Sequence, residues 1–253
     1  MKEVDLEPQL ERLRQELDLR IVHSQYWLQN EFVTLEQMLP ASLVGELVTE
    51  ARQVESALHR SRIPGYKKGG SVGYYTLRGR APVIMSLYRS PALRWFLSRI
   101  VESDLLLCPE DDPHACALYY YTRPGDHIGF HYDRSYYRGR RYSVFVGLVE
   151  QSVHCRLVAR VCTDHTGQEI REIRIPLSPG NVVLFNGDRL WHGVTPLWDG
   201  EERIVLALQY VTDQAIGPIN RLFSNMKDAF AYFGPAVFMK NSWVSPGARQ
   251  EGP

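Results

Sequence analysis

The chain has 253 residues, 44% of them hydrophobic and 11% aromatic, enough for a sizeable core and too apolar for a disordered chain. Its 29 Lys and Arg balance 29 Asp and Glu, so the net charge is zero, which argues against a protein that grips a nucleic-acid backbone. No run reaches the roughly 18 apolar residues of a membrane span, the first residues lack the basic-then-apolar pattern of a signal peptide, and the expected location is the cytoplasm.

Leu6, Leu10, Leu13 and Leu17 recur at helical spacing and make one apolar stripe. Thr34 with Gln37 resembles a capping box ahead of Pro40. From Ser42 onward, Leu43, Leu47, Val54 and Leu58 form a second helical face. Ser90-Pro91 reads as a cap followed by proline in the first turn, and Leu93, Phe96, Leu97 and Ile100 line one side of the helix it starts. After about residue 115 the pattern changes to short runs rich in β-branched and aromatic residues, at 115–122, 142–150, 155–161, 170–177, 182–185 and 204–211. Pro124-Gly125, the stretch 164–167, Pro179-Gly180 and Asp199-Gly200 supply turns between them. Strands so spaced suggest a sandwich, jelly roll or barrel. Ile219, Leu222, Phe223, Met226, Phe230 and Phe233 return to a helical period that Gly234-Pro235 ends. The expected organisation is one domain over 1–253: a mostly helical part over 1–114, a β core over 115–213, and a helix and tail over 214–253. Cys108, Cys116, Cys155 and Cys162 form no Cys-x-x-Cys pair and are expected to be reduced, mostly buried thiols.

His131 and Asp133 stand two apart, so on an extended segment an imidazole and a carboxylate share one face. A third ligand has to come from elsewhere, and His192, after an apolar strand and a turn, is the candidate. Two histidines and one carboxylate on one side of a metal leave three positions open, an arrangement that suits non-heme Fe(II) oxygenases. A lone His-x-Asp occurs by chance in a chain with 8 His and 29 acidic residues, so its surroundings matter. Arg203 heads the otherwise apolar strand that follows, eleven residues after His192. A buried guanidinium needs an anion, and the distal carboxylate of 2-oxoglutarate would take it two-pronged. The plainer alternative is an ion pair with Glu201 or Glu202 at the strand edge.

The stretch from Ala117 to Asp213 resembles the core of the Fe(II)/2-oxoglutarate-dependent oxygenases in its prolyl-hydroxylase-like version. Tyr-x-x-x-Gly before His-x-Asp, the distal His192-Gly193-Val194-x-Pro196 and Gly200-x-x-Arg203 carry the resemblance. It implies an α+β fold with a double-stranded β-helix (jelly-roll or cupin-like) core flanked by helices. It implies Fe(II) held by His131, Asp133 and His192, 2-oxoglutarate anchored by Arg203 beside Tyr121, and dioxygen as oxidant. Size and layout also look like the small oxygenases of free amino acids, a group of halogenases and their hydroxylase relatives. In those halogenases glycine or alanine replaces the carboxylate ligand. Asp133 keeps it, so hydroxylation or a related oxidation of a small molecule is expected, and halogenation is not. Nucleic-acid demethylases of the superfamily carry a second arginine beyond the distal histidine, where this strand has Gln209.

Gln209 shares a strand face with Arg203, six residues along, and Arg134 opens a basic, tyrosine-containing run with Arg138, Arg140 and Arg141. Both are candidate substrate contacts, as is Arg78, whose guanidinium would suit a substrate carboxylate. Trp243 reads as a cap on the core. The alternatives are a peptidyl hydroxylase of the prolyl type, which needs an open groove, and a cupin-like protein that binds metal without redox turnover.

Overall fold

A computed structural model describes residues 8, 11, 15, 18–161, 171–215 and 232–234. The leucine stripe at Leu6, Leu10, Leu13 and Leu17, Cys162, the turn at 164–167, the periodic stretch from Ile219 to Phe230, and Trp243 lie outside these residues.

Helix α1 (Leu19–Leu28) starts where the Asp18 carboxylate accepts the Arg20 N–H at 3.0 Å and turns Val22 and Tyr26 inward. Strand β1 (Phe32–Leu35) follows. Thr34 therefore sits in a strand and not at a helix cap, and Gln37, at φ +49°, donates its backbone N–H to Asn181. The expected capping box is corrected: helix α2 (Ala41–Val54) starts after Pro40, with no side-chain cap. Its Leu43, Leu47, Ala51 and Val54 are buried, and each leucine contributes about 1.5–3 kcal/mol by leaving water. A short 3-10 turn leads into β2 (His59–Ile63) and β3 (Lys67–Val72). Helices α3 (Tyr74–Arg80), α4 (Pro82–Arg89) and α5 (Pro91–Val101) come next. As read from the sequence, Ser90 caps α5 by accepting the Leu93 N–H at 3.1 Å, with proline in the first turn.

The remaining strands are β4 (Leu106–Leu107), β5 (Cys116–Tyr121), β6 (His127–His131), β7 (Arg141–Gln151), β8 (Leu157–Val161), β9 (Arg171–Ile175), β10 (Val182–Asn186), β11 (Trp191–Val194) and β12 (Glu202–Val211). They form one sheet in the order β1-β10-β7-β12-β5-β3-β6-β11-β8-β9, with β2 beside β3 and β4 beside β12. Every described pairing is antiparallel. Helices α1 to α5 all precede residue 115, and the sheet does not wait for that residue: β3 lies between β5 and β6 in its order.

The sheet curls over itself. Phe32 of β1 and Val183 and Phe185 of β10 share a cluster with Leu157 and Ala159 of β8 and Ile175 of β9, strands from opposite ends of the order. Strand β12 shows how one strand serves two layers. Ile204, Leu206, Leu208 and Tyr210 pack with the helices, while Arg203, Val205 and Gln209 face the hollow inside the curl. This antiparallel roll with helices on its outer side is the double-stranded β-helix architecture. Cys108, Cys116 and Cys155 are buried free thiols. No described helix is long and apolar enough to cross a membrane.

Candidate metal centre and its cavity

His131 closes β6 and His192 lies on β11, directly opposite it in the antiparallel register. Asp133 follows two residues after His131, just past the strand end. The three donor atoms lie within 4.8 Å of one another. His131 Nε2 is 3.3 Å from one carboxylate oxygen of Asp133 and His192 Nε2 is 3.8 Å from the other. The two imidazole centroids are 4.4 Å apart. Gly193 permits this closeness. A Cβ there would come within 2.9 Å of the Ile128 carbonyl oxygen, so only glycine lets β11 press against β6.

Each imidazole is set up as a ligand. His131 Nδ1 lies 2.9 Å from the Gly129 carbonyl and His192 Nδ1 lies 3.1 Å from the Leu190 carbonyl. A carbonyl only accepts, so both Nδ1 atoms carry the hydrogen and both Nε2 atoms keep a lone pair. His192 Nε2 is buried with no hydrogen-bond partner, an unmet acceptor that a metal ion would satisfy. The Ser143 hydroxyl donates to Asp133 at 2.6 Å and fixes the carboxylate. Two imidazole nitrogens and a carboxylate fit a non-heme Fe(II) ion.

The electrostatics agree. Burial disfavours an ionised Asp133, but the His192 and His131 charges and the Ser143 hydrogen bond outweigh it and hold the carboxyl well below its ordinary range. Burial also opposes a charge on His131, yet the adjacent Asp133 prevails and raises its pKa. His192 is pushed down to about 4 by burial and by His131. His114, on the cavity wall, is likewise lowered to about 4, chiefly by burial. Both stay neutral in the fold where an unfolded chain would be charged. Their contribution is fully present above pH 6.5 and is lost as the pH falls through about 4. Metal-free protein is expected to lose a few kcal/mol of stability between those values, read by denaturant titration at each pH. The raised pKa of His131 acts in the other direction, favouring the fold below its folded value. A profile that stays flat from pH 6.5 to 4 would show that the two lowered histidines are not held neutral.

The ligands open on a cavity of about 250 Å³ inside the curl, which Tyr121, Arg203, Arg134 and Gln209 also line. Arg203, 1% exposed, lies in register with Tyr121 of β5 on one side and Glu150 of β7 on the other. Its guanidinium carbon is 5.3 Å from the Tyr121 ring centroid. Its Nε donates to Glu150 at 3.1 Å. The alternative partners are engaged elsewhere: Glu201 accepts from Val153, His154 and Trp198, and Glu202 binds Arg52. Glu150 also accepts from Arg156 at 2.6 Å. Two guanidinium groups thus share one carboxylate, leaving one positive charge in excess at this end of the cavity.

The proposed substrate contacts divide. Gln209 and Arg134 reach the cavity. Arg78 is not among the residues that line it. Arg78 lies exposed on α3, 3.5 Å from Glu110 and near the rings of Tyr74 and Tyr75. The basic run also splits. Arg141 is buried, donating to Gln209 at 3.0 Å and Asp112 at 3.3 Å, whereas Arg134, Arg138 and Arg140 are exposed. Glu150, Ser143 and His114 escaped the reading of the sequence. For the first two a signal exists: each is a polar residue in an otherwise apolar run at 142–150.

The fold and site define a double-stranded β-helix protein with the architecture of non-heme 2-oxoglutarate-dependent enzymes. The chain belongs to the Halogenase D family, whose sequence profile matches residues 16–221. Among curated proteins none matches it. Similar solved structures include the non-heme alpha ketoglutarate dependent epimerase SnoN from nogalamycin biosynthesis, at 15% identity and TM-score 0.63, covering 76% of this chain and 81% of that one. The carbocyclase SnoK of the same biosynthesis gives 11% identity and TM-score 0.65, over 83% and 92% of the two chains. A Pseudomonas putida prolyl-4-hydroxylase gives 20% identity and TM-score 0.58, over 77% and 98%.

Proposed function

We propose that the whole chain is one Fe(II)- and 2-oxoglutarate-dependent dioxygenase domain that hydroxylates an unactivated C–H bond of a small molecule, an amino acid or a natural-product intermediate. The observation that carries this reading is one cavity holding both ends of the required machinery: two imidazole lone pairs and a carboxylate within 4.8 Å, and a buried guanidinium with charge to spare. His131, Asp133 and His192 would hold the iron. Arg203, flanked by Tyr121, would receive the distal carboxylate of 2-oxoglutarate. Bound iron supplies oxidation by dioxygen, coupled to conversion of 2-oxoglutarate to succinate and carbon dioxide. SnoN has been solved in complex with Fe3+, alpha ketoglutarate and nogalamycin RO, which supports a site of this kind on the shared fold.

The remaining work falls to the protein. Gln209 and Arg134 line the substrate side, and aromatic walls keep water from the reacting bond. Tyr232 forms part of one wall of this small cavity, which suits a compact substrate better than an extended peptide. Asp133 fills the place that a halide needs, so oxygen transfer is the expected outcome even in a family named for halogenation. The test is an assay with Fe(II), 2-oxoglutarate, air and chloride on candidate acids and cell extracts. The expected result is succinate formation with a product heavier by one oxygen atom. A chlorinated product would overturn the hydroxylase reading. Tight zinc without any response to 2-oxoglutarate would overturn the oxygenase reading.

A further inference from the structure

Lys67 is 1% exposed, and its Nζ has no hydrogen-bond partner. Its neighbour Lys68 points to the other face and donates to the Pro124 carbonyl. The cross-strand partners of Lys67 are Ile63 on β2 and Ile128 on β6, and both line the cavity. Directly paired residues share a sheet face, so the Lys67 side chain points to the cavity side. Lys67 itself does not line the cavity, and two aromatic rings lie against its ammonium. Nζ lies 3.1 Å from the Tyr232 centroid and 5.3 Å from that of Tyr119, and both tyrosines line the cavity. Aromatic faces attract a cation but replace only part of its lost hydration. Burial accordingly pushes the amine well below its ordinary range. A lysine kept in such surroundings fits a partner that arrives from the cavity.

The cavity's charges say which partner. Among the described residues lining it, the one carboxylate is Asp133, which the metal would occupy, against Arg134 and the already paired Arg141 and Arg203. The two buried acids nearby are used up. Asp112 accepts from Arg141 and Tyr137, and Glu150 from Arg156 and Arg203. No described carboxylate is left to receive an ammonium group, whereas His114 offers a second shielded nitrogen, Nε2, that has no partner. His114 packs on the same Tyr232 ring, its centroid 5.8 Å away.

We propose that Lys67 is the receptor for an anionic group of the substrate, with the Tyr232 ring as a shutter that moves aside on binding, so that the enzyme takes carboxylic acids and rejects their counterparts that carry only an amine. This rests on the reading of the cavity as a substrate pocket. A carboxylate entering there completes an ion pair shielded from water, the setting in which charge-assisted hydrogen bonds are strongest. Arg203 remains the anchor of 2-oxoglutarate, so the two anions occupy separate cations.

The test measures binding by calorimetry without oxygen, on enzyme loaded with Fe(II) and saturating 2-oxoglutarate. The probes are matched pairs: butyrate against butylamine, and 3-phenylpropionate against 3-phenylpropylamine. At least one acid is expected to bind wild-type enzyme ten times or more tighter than its amine. Lys67→Met should weaken that acid at least tenfold, and Lys67→Arg should keep most of the binding. Thermal melting of the metal-free protein supplies a second readout. Because methionine needs no partner, Lys67→Met should melt at the same temperature as wild type or higher. Amines bound as well as acids, no acid bound by wild type, or Lys67→Met that lowers the melting temperature would each overturn the proposal. So would Lys67→Met that weakens 2-oxoglutarate and spares the acid, since Lys67 would then serve the co-substrate. If 2-oxoglutarate itself fails to bind wild-type enzyme while acids still depend on Lys67, the oxygenase reading falls and this inference stands.

Discussion

Replacing His192 with alanine is expected to abolish bound iron and succinate formation together, each by a factor of at least about 100. Loss of a group that merely orients a metal ligand typically costs 10–100-fold, and His192 is placed as a ligand itself. The side chain is 1% exposed and packed against Phe185 and Phe145, with ring centroids at 4.8 and 5.9 Å. Alanine would therefore leave a cavity and lower stability by a few kcal/mol. His192→Gln, closer in volume, separates the two effects: it should melt near wild type and still bind iron poorly. Metal content by elemental analysis and coupled turnover check both variants. Iron retained in both, with turnover intact, would remove His192 from the ligand set and the oxygenase reading with it.

Arg203→Ala is expected to raise the concentration of 2-oxoglutarate needed for half-maximal turnover about 100-fold or more, with a smaller change in the maximal rate. A bidentate guanidinium–carboxylate pair in a buried site is among the strongest polar contacts a protein makes. The substitution also disturbs Glu150, 3.1 Å away with its side chain 6% exposed. Breaking a buried pair by removing one partner costs roughly 3–5 kcal/mol. Here Arg156, at 2.6 Å from the same carboxylate, should soften that loss. The double variant Arg203→Met with Glu150→Gln removes both charges and should recover stability without recovering affinity for 2-oxoglutarate. An unchanged co-substrate requirement in Arg203→Ala would show that the guanidinium serves only Glu150.

The site was more legible in the sequence than its surroundings. His131 and Asp133 could be paired because extended backbone repeats every two residues, and Arg203 stood out because a charge in an apolar strand needs a reason. The partner of that charge could not be read. Glu150 lies 53 residues earlier, and only the register of β7 on β12 sets it beside Arg203. Long strands such as β7 and β12 announced themselves by their composition. Strand β3 did not, since Lys67-Lys68-Gly69-Gly70 has the composition of a loop, and its pairing with β2, β5 and β6 holds it extended. That is why Lys67 went unnoticed. Thr34 misled for a related reason: capping chemistry is local, and pairing of β1 with β10 overrode it.

The ligand pair across β6 and β11 has a mechanical consequence. Both strands are short, and their register shifts between His192 and Val194, so few main-chain bonds join them near the site. An ion gripping His131 on one strand and His192 on the other would act as a rivet across this seam of the roll. Amide hydrogens at 128–132 and 191–194 should then exchange with deuterated solvent faster once the ion is chelated away, while those deep in β12 keep their pace. The iron would in this way set how often the pocket breathes as well as what it oxidises.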